Sequence, residues 1–154
     1  ASDVYKRQVF DTEYGKIGCG ICWDQWFPEC ARSMTLLGAD MILYPTAIGS
    51  EPQDPNLNSK KHWENVMIGH SAANQIPIIS SNRIGEEIED DIKINFYGGS
   101  FITDHLGSIK AQMDSVTEGV ISHEINVDEI RKFRQSWGNF RDRRPDLYKK
   151  ICDF

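Results

Sequence analysis

No apolar run in this chain of 154 residues approaches the roughly twenty residues that a membrane-spanning helix needs. Its first residues also lack the apolar core of a secretory signal, so a cytoplasmic protein with no membrane partner is expected. Basic charge is scarce. The 17 Lys and Arg stand against 23 Asp and Glu, a formal net charge of −6, which speaks against a nucleic-acid partner, whose footprint is a basic patch. The basic run near the end, Arg141-Asp142-Arg143-Arg144, is broken by an acid and reads as a salt-bridged or solvated surface. Cysteine is sparse too. Of the four, Cys19, Cys22 and Cys30 crowd together while Cys152 stands far off, which is not a disulfide framework, and free thiols are expected. The Cys19-Gly20-Ile21-Cys22 spacing suits zinc or redox chemistry, but His62, His70, His105 and His123 are scattered and both thiols fall in a strand, so both readings are weak and no metal or cofactor is expected.

What is present is a chain long enough for one domain with a real core, 40% hydrophobic. It is organised around KIGCGICWDQWFPE, Lys16 to Glu29. The apolar and small residues 17–21 predict a strand buried on both faces, with the Cys22 thiol at its carboxyl end. Pro28 and the run Ala31, Met34, Leu36, Leu37 predict a helix ended by Gly38. A sharp strand-to-helix turn is the usual way an α/β fold presents a nucleophile, with N–H groups behind it for an oxyanion. An inert buried thiol is the plain alternative. Against it stand the two tryptophans, the aspartate and the glutamine around Cys22, where a core would prefer aliphatic side chains.

Residues 9–12 and 16–22 predict a hairpin turning at Gly15. Met41 to Tyr44 reads as a buried strand with Pro45 just past its end, followed by a breaker-rich loop from Thr46 to Ser59. Trp63, Val66, Met67, His70 and Ala73 recur at helical spacing over about 60–74, and a strand starts at Ile76. These strand, helix and strand segments imply parallel pairing. Glu86 to Asp91 reads as a charged, mobile excursion, Phe96 to Thr103 as a strand, Gly119 to Ile125 as a closing strand, and 128–135 as a helix capped by Asp128. Glu29, placed about two turns into its helix, reads as structural, and His70 on an apolar helix face reads as a hydrogen-bonded core residue. The first eight residues, ASDVYKRQ, join poorly to the strand-like run that starts at Val9 and read as an adapter-like segment, leaving 9–154 as the domain.

The segment CWDQWFPE, with LYPTAIGSEPQDP, HWENVMIGHSAAN, SNRIG, FYGGSF and SWGNFRDRRPDLY in that order, resembles the nitrilase superfamily of carbon–nitrogen hydrolases, nearest its N-carbamoylputrescine amidase branch. The resemblance implies an α/β fold, the carboxyl-terminal half of an α-β-β-α sandwich that assembles as a homo-oligomer. It also implies a Glu-Lys-Cys triad of which only Cys22 can be carried over, because the other two segments precede the cysteine by more residues than this chain has. The Trp23 backbone N–H becomes the oxyanion donor. Asp24, Gln25, Trp26, Thr46, Ile48, Glu51 and Tyr97 are candidate substrate contacts, with Ile48 lining a channel and Glu51 either meeting a cation or simply a solvated loop acid. Related amidases that accept carboxylate tails tend to carry arginine just after the cysteine. Gln25 and Trp26 stand there instead, which favours a cationic small-molecule substrate such as N-carbamoylputrescine. The rivals are an amidase of β-ureido acids or ω-amides, and a non-catalytic assembly partner of the same fold.

Overall fold

The computed structural model describes residues 8–54 and 56–153. The first seven residues, which fall in the adapter-like segment, lie outside that range. Gln8 is tied into the fold, its carbonyl accepting the Cys19 N–H at 2.8 Å.

Strands β1 (Val9–Thr12) and β2 (Gly15–Cys19) form the expected antiparallel hairpin, with Thr12 opposite Gly15. Gly15 has φ 124°, and a Cβ there would lie 2.9 Å from the Asp40 carboxylate, so the turn requires glycine. Helix α1 (Pro28–Leu36) returns the chain to β3 (Met41–Thr46), parallel to β2. Helix α2 (Lys60–Asn74) does the same for β4 (Ile78–Asn82), parallel to β3. A separate hairpin of β5 (Ile84–Glu89) and β6 (Ile92–Tyr97) follows. Strands β7 (Phe101–Thr103) and β8 (Ile109–Gln112) then complete a sheet of order β1-β2-β3-β4-β7-β8. Helix α3 (Val127–Trp137) comes last, before two short 3-10 turns. No helix among the described residues is long and apolar enough to cross a membrane.

Both crossover helices pack on one face of the sheet, as successive crossovers of one hand require. Ala31 and Met34 of α1 and Trp63 and Met67 of α2 meet Ile42, Tyr44 and Ile78 there. Burial of each large apolar side chain contributes roughly 1.5–3 kcal/mol. On the opposite face Ile17, Met41, Leu43 and Ile79 are half-buried. The strands expected to be buried on both faces are thus fully buried on one.

The structure corrects several boundaries. Strand β2 stops at Cys19, not Cys22. Pro45 lies inside β3, opposite Ser81 of β4. It is tolerated because its missing N–H faces the β2 side: the Leu43 carbonyl, two residues earlier, takes the Gly20 N–H at 3.0 Å, and β2 has ended by there. The charged run is the β5–β6 hairpin rather than a mobile excursion. Gly98 and Gly99, at φ 55° and 68°, break the strand expected over 96–103. Residues 119–125 pair with no strand among the described residues and are largely exposed; Asp114 has already turned the chain away by accepting the Val116 and Thr117 N–H groups. Asn126, not Asp128, caps α3, accepting the Glu129 N–H at 3.1 Å. Asp128 instead pairs with Arg131, whose guanidinium also grips the buried Asp40 through two bonds of 2.9 and 2.6 Å.

Candidate active site

Past β2 the chain enters a 3-10 turn, Cys22–Trp26, before α1 begins at Pro28. Cys22 itself has φ 50°, a left-handed backbone that costs a residue with a Cβ about 1–2 kcal/mol. Asp24 holds the turn closed. Its carboxylate accepts the Ile21 N–H at 3.0 Å and its own N–H donates to the Ile21 carbonyl at 3.1 Å. The thiol therefore stands exposed at the carboxyl end of β2. Glu29 falls in the first turn of α1, not two turns in, where its carboxylate complements the helix dipole.

A cavity of about 430 Å³ opens beside the thiol. Of the residues singled out in the sequence, Cys22, Trp23, Gln25, Trp26, Thr46, Ile48 and Glu51 line it. Asp24 and Tyr97 do not. The Asp24 carboxylate is committed to its own turn, and the Tyr97 hydroxyl accepts the Ser59 N–H at 3.4 Å, anchoring the start of α2. The other lining residues belong to the loop from Thr46 to Ser59, except for two that escaped the sequence reading. His62 faces the cavity and packs on Trp26, ring centroids 4.9 Å apart, and Ile94 enters from β6. The alternation Ile92, Ile94, Phe96 is the signal that could have found the second.

Behind the thiol runs a chain of side-chain hydrogen bonds. The Trp63 indole donates to Gln25 Oε1 at 2.7 Å, Gln25 Nε2 donates to Thr46 Oγ1 at 2.8 Å, and Thr46 Oγ1 lies 3.6 Å from Cys22 Sγ. In front, the loop after β3 is bound through the main chain to the β5–β6 hairpin: Ser50 N–H donates to the Asn95 carbonyl at 2.9 Å and Tyr97 N–H to the Ile48 carbonyl at 3.1 Å. Asn82 fastens the loop from beneath, accepting the Ile48 N–H and donating to the Ile48 carbonyl.

His70 is a buried core residue, as the sequence suggests, and it shares a 3.2 Å hydrogen bond with the Tyr44 hydroxyl. Burial pushes its imidazole down to about 4, against a smaller opposing pull from Glu29. It stays neutral well below pH 7. Burial, and then the Asp24 charge, push the Cys30 thiol up to about 11. Cys30 is thereby excluded as a nucleophile at neutral pH.

A carbon–nitrogen hydrolase family model matches residues 2–135. The chain belongs to that family, within the nitrilase superfamily. It is 55% identical over 148 residues to an N-carbamoylputrescine amidase of Arabidopsis thaliana, covering 94% of this chain and 50% of the relative. It is 53% identical over 144 residues to a citrullinase of Francisella tularensis, again covering 94% and 50%. Among solved structures, a carbon–nitrogen hydrolase from Helicobacter pylori G27 superposes with a TM-score of 0.83 at 38% identity, covering 92% of this chain and 50% of that one. The chain thus spans about half the length of the relatives it matches. Its α/β architecture is that of half a nitrilase-type sandwich.

Proposed function

We propose that Cys22 is the nucleophile of an amidase that hydrolyses ureido compounds, with N-carbamoylputrescine the preferred substrate. One observation carries the substrate class. Among the described residues lining the cavity, Glu51 is the one carboxylate, and no lysine or arginine joins it. Such a lining suits a neutral carbamoyl head, a methylene chain against Trp26 and Ile48, and an ammonium tail at Glu51. A carboxylate tail would find no lysine or arginine among these residues.

In this reading the Cys22 thiolate adds to the carbamoyl carbon, and the oxyanion is met by the Trp23 N–H, which at the start of its turn has no intrahelical acceptor. Collapse expels ammonia and leaves a carbamoyl thioester. Water then releases the thiol and a carbamate, which loses carbon dioxide to give putrescine. The base for both proton transfers and the second oxyanion donor are the family's glutamate and lysine. Neither can be carried over onto these residues, so the chain on its own is inactive. A homo-oligomeric assembly and a cytoplasmic location belong to the same reading, the first checked by light scattering.

The 53% identity to a citrullinase favours a second reading, a zwitterionic ureido acid as substrate. Glu51→Gln in the full-length protein separates the two. We expect kcat/KM to fall about tenfold on N-carbamoylputrescine, equivalent to about 1.4 kcal/mol, and to change little on neutral propylurea. Equal losses on both would remove Glu51 from tail recognition, and higher activity on citrulline would favour the second reading.

A further inference from the structure

We infer that Thr46 is a positioning residue for the nucleophile, aimed at it by a one-way hydrogen-bond relay that starts in the core at Trp63. This rests on Cys22 being the nucleophile.

The direction of the relay is set by donor and acceptor counts. An indole N–H can only donate, so Trp63 at 2.7 Å fixes the oxygen of the Gln25 amide on its side. The amide nitrogen must then point the other way, where it donates to Thr46 Oγ1 at 2.8 Å. Trp63 and Gln25 are each at most 1% exposed, so neither the ring nor the amide can turn to water instead. A hydroxyl that accepts from Gln25 retains one proton of its own. The neighbour placed to take that proton is Cys22 Sγ at 3.6 Å, within reach for a sulfur acceptor. The relay therefore presents a donor to the sulfur, and a hydrogen bond to an ionised acceptor is the stronger kind.

The backbone at Cys22 makes such a device useful. A left-handed residue on an exposed turn has few packing contacts to choose its side-chain rotamer. Thr46, on the neighbouring strand β3, supplies a fixed point for the sulfur from outside that turn. Its own placement is set by β3 pairing with β4, opposite Asn82.

The test is the pH profile of iodoacetamide alkylation at Cys22 in the full-length protein, read by peptide mass spectrometry with exposed Cys152 as internal reference. In Thr46→Val we expect the profile to move to higher pH, with the rate at pH 7 falling about three- to tenfold and the rate on the alkaline plateau unchanged. Thr46→Ser, which keeps the hydroxyl, should restore the parent profile. Trp63→Phe removes the donor that orients the amide and should shift the profile the same way by less. It also decides the matter if Thr46→Val does not fold. A parent-like profile in Thr46→Val, or an equal loss of rate at every pH, would overturn the relay. The nucleophile assignment fails separately, if Cys22→Ser in the full-length protein retains hydrolysis.

Discussion

Behind Cys22 the cavity wall is made of side chains bonded to one another in the core, from Trp63 through Gln25 to Thr46. In front of it the wall is main chain bonded to main chain, the loop after β3 against the β5–β6 hairpin. The rear wall depends on the identity of each side chain, because each buried polar group has a partner that would be orphaned by its loss. The front wall depends chiefly on backbone path, with the side chains of Asn82 and Ser50 and the bare Cα of Gly49 as its fixed points. On the proposed reading, one region holds the reacting atom in place and the other is where a tail is chosen.

The comparison breaks most sharply at Trp63, whose ring is fully buried edge-on against Phe101 with centroids 5.3 Å apart. Trp63→Ala is expected to cost about 3–5 kcal/mol in chemical denaturation and to leave Gln25 without its donor. Next in size is the histidine behind that wall. His70 is held neutral when folded and titrates at about 4, against 6.5 when free. Its contribution is therefore complete above pH 6.5 and is lost as pH falls from there to about 4, a span of about 3 kcal/mol. The unfolding midpoint should drop over that window, and His70→Gln should flatten the slope. Smallest and most local is Gly49, where a Cβ would lie 2.6 Å from the Asn95 carbonyl. Gly49→Ala should cost about 1–3 kcal/mol, confined to the front. Hydrogen exchange would show Ser50 and Tyr97 losing protection while the amides of β3 and β4 keep theirs.

Much of the rear wall was legible in the sequence, because it is built from strong local signals. Gly15 marked the first turn, Pro28 the start of α1, and the spacing of Trp63, Met67 and His70 the face of α2. The front wall was harder. In β5 the isoleucines at 84 and 88 alternate with acids whose density reads as a solvated loop. What makes that segment a strand is pairing with β6, and pairing is not a local property. Residues 119–125 teach the reverse: Val120, Ile121 and Ile125 have strand composition and find no partner among the described residues. His62 was hidden for another reason. Its neighbour Trp63 points into the core, and one step along a helix is enough to turn a side chain toward the cavity instead.

The register of the β5–β6 hairpin also bears on how the chain can change over generations. Glu89 pairs with Ile92 next to the Asp90-Asp91 tip, and the pairs run unbroken to Ile84 and Tyr97 at the base. Two residues added at the tip would leave every one of those pairs, and Ile94, where they are. A single residue inserted between Ile94 and Tyr97 would turn alternate side chains over, take Ile94 out of the cavity, and carry Asn95 away from Ser50. Descendants can therefore lengthen this hairpin at its far end at little cost, while the four residues nearest the loop after β3 are closed to insertion.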